Sequence, residues 1–191
     1  MRLLGRPLQG IAAAASLLAI LAGAPEPAAA GLFDFLGLGS PAPRTSGRQL
    51  VAFPASVRPG TIIVRFGERR LYYVLPQQRA IAYPIGAPIG KARWSGVTQV
   101  SSKRINPMWT PTAEMRRENP TLPAYVPGGH PRNPLGVRAM YLGSSTYRIH
   151  GTDAPWTVGQ EVSQGCIRMY NADVIDLYNR TPIGTKVVVL W

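Results

Sequence analysis

Short runs of β-branched and aromatic residues recur along the chain from about residue 58 onward. Thr61–Phe66 and Arg70–Leu75 are two such runs, and Gly67-Glu68-Arg69 between them is typical of a hairpin turn. Further strands are predicted at Ala80–Ile85, Gly96–Val100, Arg138–Leu142, Tyr147–His150 and Lys186–Leu190, the last of which would close the sheet. The pattern therefore predicts a mainly β domain.

Only one segment has clear helical spacing of its apolar residues. Val174, Leu177 and Tyr178 repeat with the helical period in Ala172–Tyr178, and acidic residues occupy the early turns, where the helix dipole favours them. Asn171 is predicted to be the N-cap of this helix. We expect the three apolar side chains to belong to the core rather than to a binding site.

The stretch from Asn106 to Asn133 is rich in proline and polar residues and contains Trp109 and Tyr125. A long irregular segment in a compact domain is often a lid or a binding loop. The alternative is a poorly ordered surface excursion. Within it, Thr112 is predicted to cap a short helix, Ala113–Arg117.

The start of the chain has the features of an export signal. Arg2 and Arg6 precede an apolar stretch, Ile11–Leu21, that is short for a membrane span, and Ala28-Ala29-Ala30 suits cleavage. We predict a signal peptide over residues 1–30, a Gly/Pro/Ser-rich linker over 31–57 and a folded domain over 58–191. The alternative is an uncleaved membrane anchor. No later stretch is long or apolar enough to span a membrane.

The chain of 191 residues carries a formal net charge of +12. Loss of residues 1–30 removes two arginines and one glutamate, which lowers the net charge to +11. Such a surface attracts polyanions and acidic substrates. Neither a basic helix nor an alternation of basic and aromatic residues is present, so the sequence does not favour nucleic acid. A cell-wall polymer with free carboxylates suits both the charge and the exported location.

Cys166 is the single cysteine of the chain, so it cannot form an internal disulfide. It pairs with a cysteine of another molecule, is a free reactive thiol, or is a small buried apolar residue, and the nearby histidine and glycine favour the reactive thiol. His150 is the candidate base for a thiolate, and Gly165 suits a tight turn with exposed N–H groups. Arg168 would either stabilise negative charge or hold the turn to the sheet. Ser163 would either donate a hydrogen bond to the thiolate or substrate, or shape the turn.

Taken together, the segments around these residues resemble the L,D-transpeptidase (YkuD-type) catalytic domain family. His150-Gly151-Thr152 and Ser163-Gln164-Gly165-Cys166-Ile167-Arg168-Met169 carry the resemblance, which extends from about Arg58 to Trp191. The other matching segments are Asn133-Pro134-Leu135-Gly136, Ala139-Met140-Tyr141-Leu142-Gly143, Asn171-Ala172-Asp173-Val174 and Gly184-Thr185-Lys186-Val187.

The resemblance implies a sandwich-like β fold with one or two short helices and with the cysteine under a flap. It implies that Cys166 attacks a peptidoglycan stem tetrapeptide and forms a thioester, which an amine of a second stem or of a protein lysine then takes. His150 would move the protons, and the Gly151 carbonyl would orient its ring. The N–H groups of Gly165 and Cys166 would form the oxyanion hole.

The resemblance also assigns substrate-binding roles to Ser163, Thr152, Asn133 and Tyr141, and it implies no metal and no cofactor. One cysteine and two histidines do not make a structural zinc site, and no phosphate-binding glycine loop is present. Gln164 departs from the family, in which many members have histidine or arginine there. His130 is a second departure, and it either lines the donor groove or is a solvated loop residue.

Three functions remain open from the sequence. The first is transpeptidation between wall peptides or onto a wall-linked protein. The second is hydrolysis of the same acyl-enzyme, as in an L,D-carboxypeptidase. The third is a non-catalytic module that binds peptidoglycan and in which Cys166 is inert.

Overall fold

A computed structural model describes residues 46–191, apart from the side chain of Lys91. The predicted signal peptide and the first part of the predicted linker lie outside these residues. Among the described residues, no helix has the length and apolar character needed to cross a membrane.

The described chain is mainly β, as the sequence pattern predicted. Its strands, in chain order, are β1 Gln49–Ala52, β2 Ile62–Arg65, β3 Arg70–Leu75, β4 Arg79–Pro84, β5 Ala87–Pro88, β6 Gly96–Ile105, β7 Arg138–Leu142, β8 Arg148–His150, β9 Glu161–Ser163, β10 Ile167–Arg168 and β11 Lys186–Leu190. Two α-helices, α1 Ala113–Glu118 and α2 Asn171–Arg180, and two short 3-10 helices, Gly90–Ala92 and Pro155–Thr157, complete the fold.

Nine of the strands form one sheet in the order β1-β4-β3-β2-β11-β6-β7-β8-β10, and β5 pairs with β9 in a separate two-stranded sheet. The prediction that β11 closes the sheet is wrong, because β11 lies inside it, parallel to β2 and antiparallel to β6. Val187 and Val189 of β11 are completely buried. A run of β-branched residues suits a strand that has neighbours on both sides.

The sheet curls around a single main core. Tyr83 of β4 and Ile167 of β10 belong to the same buried cluster, although their strands lie near opposite ends of the sheet. Gly86, just after β4, exchanges two backbone hydrogen bonds with Arg168 of β10, at 2.8 and 3.1 Å. This contact joins the two ends of the sheet and brings the β4–β5 connection next to β10.

Helix α2 begins one residue earlier than predicted. Tyr170 is its N-cap residue, and Asn171 is the first helical residue. Asn171 does not cap the helix, because its side chain bonds to the backbone of Thr152. The shorter helix α1 begins as predicted, with the Thr112 hydroxyl accepting from Met115 N–H at 3.2 Å.

The predicted linker, residues 31–57, extends too far toward the domain. Within it, Gln49–Ala52 form β1, which pairs antiparallel with β4. Upstream of β1, the Ser46 hydroxyl and the Gly47 N–H donate to the buried carboxylate of Asp173, at 2.5 and 3.0 Å. Residues from Ser46 onward thus belong to the fold, because β4 has an open edge and Asp173 has acceptor atoms to satisfy.

Candidate active site

Strands β8 and β10 lie side by side and parallel, in a register that pairs Ile149 with Ile167 and His150 with Arg168. One residue earlier in this register, Cys166 comes opposite Arg148. Because side chains alternate between the two faces of a strand, Arg148, His150, Cys166 and Arg168 share one face. The sheet thereby brings the predicted nucleophile and base, sixteen positions apart in the chain, into adjacent rows.

The opposite face of the same two strands is core. Ile149 and Ile167 are completely buried there, and α2 covers them with Val174 and Leu177. A shift of the β8–β10 register by one residue would bring polar side chains into the core and expose these isoleucines on the other face. The apolar core therefore holds the reactive face in register.

His150 is a buried histidine at the end of β8, with 4% of its surface exposed. Its Nδ1 lies 2.5 Å from the carbonyl oxygen of Gly151. A carbonyl can only accept, so Nδ1 carries the proton and Nε2 keeps its lone pair. Burial, followed by the positive charge of Arg168, lowers the pKa of His150 to about 3. The ring is therefore neutral at physiological pH, with Nε2 able to take a proton.

Gly151 sits where no side chain fits. A Cβ on this residue would lie 2.2 Å from the Asn171 Oδ1 atom. That oxygen accepts from the Thr152 N–H at 3.1 Å, and the Asn171 amide donates to the Thr152 carbonyl at 2.9 Å. The Thr152 hydroxyl accepts from the Ala154 N–H at 2.9 Å. Asn171 thus fixes the chain that follows His150, instead of capping the helix as predicted from the sequence.

Cys166 is half-buried, and its Sγ lies 3.9 Å from the carbonyl oxygen of Thr146. Burial raises the pKa of its thiol, while the backbone N–H and the guanidinium of Arg148, and then the charge of Arg168, act in the opposite direction. The resting group is therefore a neutral thiol flanked by two cations, which favour the thiolate once a proton can leave.

Gly165 adopts φ +117°, a left-handed conformation that favours glycine. A Cβ there would lie 2.2 Å from the ring of Tyr147. The indole of Trp94 stacks on this ring, with centroids 4.7 Å apart, and its N–H donates to the Gly165 carbonyl at 3.0 Å. Trp94 and Tyr147 thus hold the turn before Cys166. Sequence reasoning missed both aromatics, because only the folded chain brings them to this turn.

Arg168 lies on the same face as His150 and contacts the segment around Thr157. Its Nη1 donates to the Thr157 hydroxyl at 2.9 Å, and its backbone bonds to Gly86. Its Nε is buried and has no hydrogen-bond partner in the part of the chain that the structure describes. Burial lowers the pKa of this guanidinium, whereas the negative charge of Asp153 raises it. These contacts support the reading in which Arg168 holds the turn to the sheet, and its charge also reaches Cys166.

Ser163 is buried, and its hydroxyl donates to the Cys166 carbonyl at 2.6 Å. This bond closes the Ser163–Cys166 turn from inside. Of the two roles open from the sequence, the geometry supports the shaping of the turn.

Asn133 and Tyr141 belong to different elements near this region. Asn133 is buried, and its amide donates to the carbonyls of Pro107 and Pro127, at 2.8 and 3.0 Å, which ties the two ends of the proline-rich loop together. Tyr141 pairs with Arg148 across β7 and β8, and its ring centroid lies 5.0 Å from the guanidinium carbon. Tyr141 therefore belongs to the reactive face, whereas Asn133 braces the loop.

The proline-rich loop reaches the nucleophile segment through Gln164. The amide of Gln164 donates to the carboxylate of Glu118, the last residue of α1, at 3.1 Å. Within the loop, Trp109 and Val126 exchange two backbone hydrogen bonds, at 2.8 and 2.9 Å. The segment is thus an internally bonded loop in contact with the site.

The same loop lines an open pocket of about 530 Å³. Its lining is mostly apolar and includes Trp109, Leu122, Tyr125 and Val126, together with His130 and Arg132. His130 is exposed, and its Nδ1 accepts from the Arg132 N–H at 3.1 Å. His130 therefore lines this pocket, whose wall does not include Cys166 or His150.

Residues 59–189 match the model of the YkuD family, the L,D-transpeptidase catalytic domain. The chain is 43% identical over 153 residues to the probable L,D-transpeptidase ErfK/SrfK of Escherichia coli K12, covering 74% of this chain and 47% of that protein. It is 41% identical over 149 residues to the probable L,D-transpeptidase YbiS of the same strain, covering 73% and 47%. The chain spans about half the length of these relatives.

Solved structures support the fold. The NMR structure of the catalytic domain from Enterococcus faecium L,D-transpeptidase superimposes with a TM-score of 0.53 at 18% identity, covering 71% of this chain and 100% of that one. An L,D-transpeptidase from Mycobacterium smegmatis gives 0.53 at 16% identity, covering 69% of this chain and 58% of that one. At these identities the likeness concerns the fold alone.

Proposed function

Because the chain belongs to the YkuD family of L,D-transpeptidase catalytic domains, we propose that it is an exported cysteine acyltransferase that acts on peptidoglycan stem tetrapeptides. The observation that carries the proposal is the register of β8 and β10, in which Cys166 and His150 project from one face of adjacent strands. The curled core beneath that face keeps both residues on rigid elements, as a preorganised site requires.

In the proposed reaction, the Cys166 sulfur attacks the carbonyl carbon of the third stem residue, and its proton passes to His150 Nε2. The bond to the terminal D-alanine then breaks, and the proton leaves with the amine of that D-alanine. The product is a thioester and a free amino acid. The donor peptide bond supplies the energy, so no nucleotide is needed.

His150 is suited to both proton steps. Its Nδ1–H bond to the Gly151 carbonyl fixes the tautomer, and burial keeps Nε2 unprotonated. In the second half of the reaction, the same Nε2 takes a proton from the incoming amine as that amine attacks the thioester.

The oxyanion formed during attack needs donors close to the sulfur. We assign this role to the N–H groups of Gly165 and Cys166, on the turn that Trp94 and Ser163 hold by hydrogen bonds to its carbonyls. A turn that is held before substrate arrives avoids reorganisation during the reaction.

The acceptor defines the type of enzyme. An amine of a second stem peptide gives a crosslink, a protein lysine gives a wall-linked protein, and water gives a carboxypeptidase. We propose an amine acceptor, since the family is named for transpeptidation. The predicted signal peptide over residues 1–30 favours action outside the cytoplasm, in the periplasm or cell wall. The net charge of +11 that remains after its loss suits a wall polymer with free carboxylates.

The test uses the purified protein with disaccharide tetrapeptides and separates products by mass spectrometry. We expect a crosslinked dimer and released D-alanine with the wild type, and neither with Cys166→Ala or His150→Ala. Trimmed tripeptide alone would point to a hydrolase. Wall binding without any product, unchanged in Cys166→Ala, would indicate the non-catalytic module instead.

A further inference from the structure

A row of three side chains crosses the sheet at the nucleophile. Tyr141 of β7 pairs with Arg148 of β8, and Arg148 in turn comes opposite Cys166, the residue before β10, when the register is extended by one position. Neighbouring strands are about 4.8 Å apart, so Arg148 lies between Tyr141 and Cys166 in this row. Its guanidinium contacts the Tyr141 ring and acts on the Cys166 thiol by its charge and by a side-chain hydrogen bond. The neighbouring row across the same strands consists of Ala139, His150 and Arg168, and it contains the proposed base His150.

The Arg148 guanidinium is held against a ring face. Its central carbon lies 5.0 Å from the Tyr141 ring centroid, and its buried Nε has no hydrogen-bond partner within residues 46–191. A ring face orients a cation without cancelling its charge. The positive charge therefore remains available to the neighbouring sulfur.

The neutral state of His150 leaves the nucleophile without an imidazolium as counter-charge. Gln164, two residues before Cys166, is also uncharged, and its amide is engaged with Glu118. We propose that Arg148 is the thiolate-stabilising residue of this site, its guanidinium supplying the positive charge that His150 and Gln164 do not. The proposal rests on Cys166 being the nucleophile of the proposed function.

Other charged and titratable groups also face the thiol. His150 of β8 and Arg168 of β10 lie on the same face as the thiol. Two acidic residues act indirectly: Glu118 of α1 bonds to Gln164, and Asp153 offsets the charge of Arg168. Arg168 is the rival source of positive charge. It donates to the Thr157 hydroxyl and faces Asp153, so part of its charge is offset. Arg148 also acts on the Cys166 pKa more strongly than Arg168 does.

The experiment measures the rate of alkylation of Cys166 by iodoacetamide as a function of pH, with Cys166→Ala as the blank. Only the thiolate reacts, so the midpoint of the profile gives the thiol pKa and the high-pH plateau reports access. We expect Arg148→Gln to raise the midpoint by about 1 unit, because an opposite charge within about 4–6 Å shifts a pKa by 1–3 units. The plateau should stay unchanged.

Arg138 provides the matched control. Its Nε is also buried without a partner, and its guanidinium lies over Tyr178 of α2, on the opposite face of the sheet. Arg138→Gln should leave the midpoint within about 0.2 units of the wild type. Equal midpoints for Arg148→Gln and Arg138→Gln would overturn the proposal.

Arg148→Lys keeps a positive charge, so its midpoint should rise by less than half as much as that of Arg148→Gln. Equal midpoints for these two variants would refute the charge argument. If Arg148→Gln does not fold, Tyr141→Leu tests the same row. It releases the guanidinium and should raise the midpoint by a smaller amount, and no change would count against the proposal. Alkylation needs no wall substrate, so these results are independent of the muropeptide assay.

Discussion

Gly165→Ala is the substitution for which the structure predicts the clearest physical effect. The residue has φ +117°, and its added Cβ would lie 2.2 Å from the Tyr147 ring. Tyr147 cannot simply move aside, because Trp94 stacks on it at 4.7 Å and donates to the Gly165 carbonyl. Two separate costs therefore act at one position.

The backbone cost of a left-handed alanine is about 1–2 kcal/mol. Overpacking against a fixed ring adds about 1–3 kcal/mol. The free energy of unfolding should thus fall by about 3–4 kcal/mol in Gly165→Ala. Gly159→Ala isolates the first cost, since Gly159 has φ +92° but its added Cβ would meet no atom within 4 Å.

Urea unfolding followed by circular dichroism gives both free energies directly. We expect Gly165→Ala to be less stable than Gly159→Ala by about 2 kcal/mol, or roughly 4–8 °C in melting temperature for a domain of this size. Equal losses of unfolding free energy in the two variants would mean that Tyr147 and Trp94 move aside without cost. The conclusion that these rings clamp the turn would then be incorrect.

Three further predictions concern stability. Trp94→Phe keeps a stacked ring but loses the hydrogen bond to the Gly165 carbonyl, so thermal unfolding should report a loss of about 1 kcal/mol, and no loss would remove that bond from the account. His150 stays neutral down to a pKa of about 3, whereas the unfolded chain protonates it below about 6.5. Wild-type stability should therefore fall as the pH drops from about 6.5 to 4.5, by about 2 kcal/mol more than in His150→Gln, and parallel pH profiles would contradict this. Asp173→Ala should cost about 3 kcal/mol, because it removes the charged acceptor of two hydrogen bonds, from the Ser46 hydroxyl and the Gly47 N–H. Ser46→Ala, which removes one of them, should cost less than half of that, and the reverse order in urea unfolding would mean that the segment before β1 is not anchored at Asp173.

The elements of the fold followed largely from local pattern. The hairpin of β2 and β3, the strand β7 and the helix α2 lie at or within a residue or two of the predicted bounds, because period-2 and period-3.6 spacing and turn residues act over a few positions. The position of β11 inside the sheet was not predictable in this way. Strand order depends on which long-range pairings bury the most apolar surface, and a single strand's composition does not specify its partners.

The same division applies to the site. Cys166 and His150 stand out in the sequence because one cysteine, a neighbouring glycine and a histidine carry recognisable chemistry. Trp94, Tyr147 and Arg148 were not picked out for the site, because their importance comes from what lies across from them. Asn171 was predicted to be a helix N-cap from its local preference, but its side-chain amide bonds to the backbone of Thr152 instead.

The sequence by itself determined the mainly β class and the limits of most elements, and it singled out Cys166 and His150 as the candidate nucleophile and base, since these depend on residue type and short-range spacing. Only the tertiary structure decided that β1 joins the sheet, that Trp94 and Tyr147 clamp the turn at Gly165, and that Arg148 faces the sulfur. The physical reason is that strand pairing and close packing join residues far apart in the chain, and they are settled by the burial and hydrogen bonding of the whole domain.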